Sequence, residues 1–245
     1  LAYLSEHAGR PVTSRVPAKI EPRATGELGR AVVPSDPRSG RNEHRAAKAP
    51  NHVVPRTEGD HPGDREIRGW LLEHLRATPD VRVVQELGLL RGEIRADIAV
   101  ISSRLHGFEI KSRHDSLERL PRQRAIYNRV FDWVTLVTCE HHLKRARRMI
   151  PGWWGIWEVV LVDGVMQLVE SRPPTENPSV DVDVLAQLLW KDELVELLRH
   201  SGGKSLERQN RRVLRERLVE SLPQSVLRSE VARQLRRREN WRADS

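Results

Sequence analysis

Three ionisable side chains, Asp97, Glu109 and Lys111, fall in two short runs that otherwise read as apolar strands, Arg95-Ala96-Asp97-Ile98-Ala99-Val100-Ile101 and Phe108-Glu109-Ile110-Lys111. Side chains alternate across a strand, so Glu109 and Lys111 share one face while Phe108 and Ile110 share the other. By the same rule Arg95, Asp97 and Ala99 share a face opposite Ala96, Ile98 and Val100. Paired as a hairpin through Ser102 to Gly107, the two runs bring Asp97 beside Glu109 and Lys111. Two carboxylates converging on a sheet edge suit Mg²⁺, or Mn²⁺ in its place, because a hard cation takes oxygen ligands and keeps several waters. Asp97 and Glu109 are the expected ligands, with the backbone carbonyl of Ile110 as a third. A metal held there would polarise a scissile phosphate and lower the pKa of an attacking water. Lys111 can orient that water, act as its base or stabilise the developing charge. The expected reaction is phosphodiester hydrolysis.

The elements that must position these residues begin at Arg65. Ile67, Trp70, Leu71 and Leu75 recur at helical spacing through Glu66 to Arg76, ahead of Thr78-Pro79. Val81 to Leu87, Glu93 to Ile101 and Gly107 to Ser112 read as three strands, with a turn at Leu90-Arg91-Gly92. Asp115-Ser116 can cap a helix from about Leu117 to Phe131. Trp133 to Cys139 is apolar without strict alternation, the pattern of a strand covered on both faces. Helix, three strands, helix, strand gives an α/β sandwich with a mixed sheet. A basic helix over His141 to Ile150 and a hairpin turning at Asp163-Gly164 extend this unit. Beyond Pro173, Pro174 and Pro178, helices are expected over Val184 to Leu198, Ser205 to Leu222 and Ser225 to Arg238.

The helix after the third strand carries a second signal. Gln123 and Tyr127 are four residues apart and therefore lie one above the other, so the inner face presents an amide and a phenol among apolar residues. Asp97, Glu109-Ile110-Lys111 and Gln123-Arg124-Ala125-Ile126-Tyr127, on this series of elements, resemble the PD-(D/E)XK nuclease superfamily, and the Gln-x-x-x-Tyr element its RecB-like branch. Arg119-Leu120-Pro121 and Pro151-Gly152-Trp153-Trp154-Gly155 add a resemblance to an uncharacterised bacterial family running from about Arg65 to Trp241. The resemblance implies a restriction-endonuclease-like core and a metal-dependent nuclease with Asp97 and Glu109 as ligands and Lys111 as the catalytic lysine. It also implies a further acid from the first helix, Glu73, with Glu66 as the alternative. Ala96 stands where the superfamily name has proline.

Charge and composition frame the rest. The 245 residues carry a net charge of +8, and no apolar run approaches the roughly 20 residues of a membrane span, so no membrane partner and a cytoplasmic setting are expected. The single cysteine, Cys139, excludes an intramolecular disulfide. Residues 1–64, with 8 of the 15 prolines and no periodicity, read as a disordered or loosely ordered extension. Residues 65–172 form the nuclease-like domain with its added hairpin, and 180–245 a basic helical C-terminal region. Residues 65–198 hold 19 Lys and Arg against 20 Asp and Glu, whereas residues 199–245 hold 13 against 6. DNA, or RNA, is the expected partner, held by the C-terminal arginines. The leucine-rich C-terminal helices could also form a homodimer. Arg95 reads as an ion-pair partner of Asp97, Glu86 as a surface acid before a ligand, His141 and His142 as a solvated helix start, and Trp153 and Trp154 as packing. A fold that retained binding and lost cleavage is the alternative function.

Overall fold

In the computed structural model, which describes residues 61–200 and 205–239, an α/β structure is built around a six-stranded mixed sheet. The extension expected over 1–64 falls, but for its last four residues, outside the described residues. The strands β1 (Arg82–Leu89), β2 (Ile94–Ile101), β3 (Leu105–Lys111), β4 (Trp133–Cys139), β5 (Gly155–Val162) and β6 (Val165–Arg172) lie in the sheet in chain order. The first three are mutually antiparallel, β3 to β5 are parallel, and β6 returns antiparallel to β5. Parallel neighbours need crossovers, which α2 (Leu120–Val130) and α3 (Glu140–Met149) supply. Helix α1 (Asp64–Arg76) precedes the sheet, and α4 (Val182–Leu185), α5 (Lys191–His200), α6 (Arg211–Ser221) and α7 (Gln224–Arg237) follow it. The element order matches the one expected from periodicity. No helix among the described residues is long and apolar enough to cross a membrane.

Each face of the sheet has its own core. On one, α1 sets Ile67, Leu71 and Leu75 against Ile98, Phe108, Ile110, Val137 and Trp157. On the other, Leu120 and Tyr127 of α2, Leu214 and Leu218 of α6 and Leu227 and Val231 of α7 join Ala99, Leu136 and Ile156. That second core runs through both 65–172 and 180–245, and it takes up the leucines on which a homodimer through these helices would draw. Covered on both sides, β3 and β4 are buried along their whole length.

Regular alternation breaks beside the cleft. The β1–β2 ladder pairs Gln85 with Ile98 and Leu87 with Ala96 but skips Glu86 opposite Asp97. Glu86 has a φ of 51°, uncommon for a residue with a side chain, and a local departure of this kind kinks a strand. Ala96 consequently lies in the same apolar cluster as Ala99, and not with Ile98 and Val100. The expected grouping of Arg95, Asp97 and Ala99 on one face therefore fails, because the parity of the strand slips at Asp97.

Three helices start later than periodicity implies, for reasons of capping, among them α6, expected from Ser205 but opened at Arg211 by Asn210, whose Oδ1 accepts from the Val213 N–H at 3.0 Å. Asp115, expected with Ser116 to cap a helix from about Leu117, instead accepts through Oδ2 from the Ser112 N–H and Oγ–H at 2.8 and 2.6 Å, and α2 opens only at Leu120. The helix expected over 184–198 is divided by a 3-10 turn, Ala186–Leu188, and Glu193 Oε2 accepts from the Trp190 N–H at 2.7 Å to open α5 afresh. The hairpin turn at Asp163 and Gly164 is as expected, with φ of 52° and 74°.

Candidate active site

β2 and β3 pair only between Ile98–Phe108 and Ile101–Leu105. Past Phe108 the two strands leave a gap, and a cleft of about 600 Å³ opens there. Asp97, Glu109, Ile110, Lys111 and Gln123 all line it. It also takes in Asp64 and Arg68 of α1, Glu86 of β1, Arg95 of β2 and Arg119 at the start of α2.

Asp97 spans the gap. Its Oδ2 accepts from the Ile110 N–H at 2.7 Å, replacing the ladder bond that β2 would have made. Backbone N–H and C=O of one strand residue point to the same edge, so the Ile110 carbonyl also faces the gap. The other carboxylate oxygen, Oδ1, accepts from Arg68 Nη2 at 3.0 Å. Arg68 further donates to the Asp97 carbonyl at 3.0 Å, to Glu86 Oε1 at 3.0 Å and to Asp64 Oδ2 at 3.2 Å. Burial works against its charge, yet the bonds to Asp64 and the charge of Asp97 leave the Arg68 guanidinium more basic than usual.

Glu109 and Lys111 point to the α2 face and are 1% and 4% exposed. Lys111 Nζ stands 2.7 Å from Glu109 Oε1, and the Tyr127 hydroxyl donates to Glu109 Oε2 at 2.6 Å. Burial, and then the nearby Asp97 charge, push the Glu109 carboxyl up to about 7, against the opposing pull of Lys111 and Tyr127. Burial and the Glu109 charge push the Tyr127 phenol well up, so it stays a donor. Tyr127 is itself fully buried, stacked on Trp154 at 5.9 Å and edge-on to Phe131 at 5.3 Å. It stands behind Glu109 and fixes it. Gln123, one turn earlier on α2, reaches the cleft with its Oε1 buried and without a hydrogen-bond partner among the described residues.

These donors suit a hard cation. Two facing carboxylates, a main-chain carbonyl open to the gap and an unpartnered amide oxygen form an all-oxygen set. Burial is the first cause of the rise at Glu109, and the Asp97 charge, the second, is the one that a cation between the two acids would relieve. No group of three or more His, Cys, Asp or Glu residues converges on one point among the described residues, so protein carboxylates alone would leave much of the coordination to water.

Several expectations are corrected. Glu73 is exposed and does not line the cleft, because it lies nine residues from Asp64 on α1, half a turn out of phase. Glu66 instead accepts from the Gly63 N–H at 3.0 Å as a cap. The acid that α1 does bring is Asp64, bound to Arg68 at the i, i+4 spacing. Arg68, and not Arg95, is the partner of Asp97. Glu86 lines the cleft, held by Arg68. His141 is exposed at the helix start as expected, but His142 is buried and not solvated, whereas Trp154 donates to Asn128 Oδ1 at 2.9 Å in keeping with packing. The C-terminal arginines are largely engaged within the fold. Arg238 donates to both Glu193 oxygens at 2.6 Å, Arg228 Nε donates to Asp132 Oδ1 at 2.8 Å, and Arg211 binds the carbonyls of Gln187 and Leu189.

Comparison with known proteins adds a phage relationship. The family model for bacteriophage P4 protein cII matches residues 59–244. Protein cII of Enterobacteria phage P4 is 26% identical over 142 residues, covering 57% of this chain and 54% of that protein, so the chain spans about half the length of this relative. Among solved structures, SPO1766, a protein of unknown function from Silicibacter pomeroyi, matches at a TM-score of 0.34 and 16% identity over 57% of this chain and 92% of its own.

Proposed function

The chain belongs to the bacteriophage P4 protein cII family, and we propose that within it this protein is a metal-dependent nuclease that hydrolyses phosphodiester bonds, with DNA as the preferred substrate. The αβββαβ order and mixed sheet support a restriction-endonuclease-like core of the PD-(D/E)XK type. One observation carries the reading. In a single cleft Asp97 binds the Ile110 N–H, while Glu109 is held between Lys111 and Tyr127.

Asp97, Glu109 and the Ile110 carbonyl would hold Mg²⁺ or Mn²⁺, which when bound supplies Lewis-acid polarisation of the phosphate and a more acidic water. The chain's own groups do the positioning. Lys111 has its ammonium on the cleft wall, where it can orient the attacking water and face the negative charge that grows on the phosphoryl oxygens. Tyr127 keeps the Glu109 carboxylate turned to the cleft, and Gln123 offers an amide beside it. The six acids lining the cleft, Asp64, Glu86, Glu93, Asp97, Glu109 and Asp115, outnumber by one the five bases, Arg68, Arg95, Lys111, Arg119 and Arg122. A phage relative favours a mobile-element setting over repair or phage defence.

The test is incubation of the purified chain with plasmid, linear and single-stranded DNA, with and without Mg²⁺ or Mn²⁺, beside Asp97→Ala and Lys111→Ala. Metal-dependent cleavage is expected from the parent and from neither variant. Cleavage unchanged in both variants would overturn the assignment. The ties on every carboxylate oxygen of Asp97 and Glu109 favour a second reading, a non-cleaving nucleic-acid-binding module, marked by binding without cleavage under any metal.

A further inference from the structure

The arginines divide into two sets. On the C-terminal helices they staple the fold, as Arg238 does on Glu193, Arg228 on Asp132 and Arg237 on Glu196. Arg95 of β2 and Arg119, the N-cap of α2, do the opposite. Both are exposed, both line the cleft that holds Asp97 and Glu109, and neither side chain has a partner among the described residues. A guanidinium stays charged and carries five N–H donors with no acceptor of its own. Two of them without acceptors, on different elements of one cleft, make a wall suited to an anion.

The placement narrows the kind of anion. Arg95 is two residues from Asp97 along β2, about 7 Å, and Arg119 is one turn before Gln123 on the other side of the sheet gap. Arg95 and Arg119 thus flank the cleft from two different elements, β2 and the start of α2. A polymer with a charge at every repeat engages both and still passes Asp97 and Glu109. The parity slip at Asp97 matters here, since it sends Arg95 and Ala96 to faces opposite to those of a regular strand.

We infer that Arg95 and Arg119 bind the sugar-phosphate backbone of a nucleic-acid strand beside the two acids, so that the cleft wall, and not the C-terminal helices, holds the substrate. The inference rests on the nuclease reading only for the nature of the strand.

The experiment is fluorescence-anisotropy titration of the full chain with labelled duplex DNA, single-stranded DNA and single-stranded RNA in EDTA across a salt series. Each phosphate contact contributes about 0.9 to the slope of log K against log salt for a duplex and about 0.7 for a single strand. The double variant Arg95→Gln, Arg119→Gln is expected to lower the slope by about 1.8 or about 1.4 respectively, while Arg95→Lys, Arg119→Lys keeps it. The exposed C-terminal pair Arg208→Gln, Arg212→Gln is expected to leave it unchanged. Since neither cleft arginine side chain has a partner among the described residues, thermal melting should match the parent. An unchanged slope in the Gln variant, a slope carried by Arg208 and Arg212, or no binding of any of the three probes would overturn the inference. Loss of slope with no cleavage under Mg²⁺ or Mn²⁺ would leave it standing and sink the nuclease reading alone.

Discussion

Arg68 grips Asp97 at two points, its Nη2 donating to the carboxylate Oδ1 and its Nη1 to the main-chain carbonyl, each at 3.0 Å. A cation built into α1 thus stands against the acid of β2 on which metal binding is proposed to depend. Glu86 and Asp64 complete its surroundings, so one guanidinium is shared by three carboxylates and leaves them with a net negative charge.

Replacing Arg68 by Met therefore acts in two opposed directions. Asp64, Glu86 and Asp97 lose their shared cation, and with Arg68 and Asp97 both 18% exposed the expected loss of stability is about 1–2 kcal/mol. The same acids become free to attract a divalent cation, so Mn²⁺ affinity by titration calorimetry should rise about tenfold. A lower melting temperature in EDTA with no gain in Mn²⁺ affinity would show that Arg68 is only a structural tie.

Glu109 makes stability depend on pH. Its ordinary carboxyl value of 4.5 is pushed up to about 7, first by burial and then by Asp97. The folded chain thus keeps a proton that the unfolded chain releases across that window. Stability accordingly falls as pH rises from about 4.5 to 7, by on the order of 3 kcal/mol in all. Urea denaturation at pH 5 and pH 8 should show this fall, and Glu109→Gln should flatten it. Tyr127→Phe removes a donor to the ionised carboxylate, so the acid limb of any metal-dependent cleavage should move to higher pH. A limb that stays in place would separate Tyr127 from the titration of Glu109.

What could be read from sequence was local. Glu109 and Lys111 share a face because β3 alternates regularly, and Gln123 and Tyr127 share one because four residues complete a helical turn. The slip at Asp97 was not legible, because nothing in the residue type of Glu86 signals its positive φ. Arg68 was missed for another reason, since its partners Glu86 and Asp97 lie 18 and 29 positions along the chain. Net charge says nothing of the pairing in the C-terminal region for the same cause. A count of arginines shows the excess, but it does not show that Arg238 closes on Glu193, 45 positions earlier.

Those internal pairs make a prediction of their own. Arg228 is 13% exposed and Asp132 1% exposed at their ion pair, and Arg238 and Glu193 are similarly enclosed. Removing one member of a buried pair strands the other charge, at a cost of about 3–5 kcal/mol. Arg228→Met and Arg238→Met should each lower the urea midpoint markedly. Neither should change the salt slope of DNA binding once measured on protein shown to be folded.

Packing behind the site should be as consequential as charge within it. Gly107 pairs with Ala99 on one side and Val134 on the other, two residues before Glu109. A Cβ there would meet Cδ2 and Cε2 of Phe131 at 2.7 Å, and Phe131 packs edge-on against Tyr127. Either β3 or the ring must move, and the ring carries the tyrosine that holds Glu109. Gly107→Ala is expected to cost about 1–3 kcal/mol in urea denaturation and to weaken Mn²⁺ binding with it. Adding Phe131→Leu makes room for the methyl group, so the double variant should regain part of both losses. A double variant whose losses simply add would show that Gly107 and Phe131 act independently, and that the packing of β3 does not reach the carboxylate.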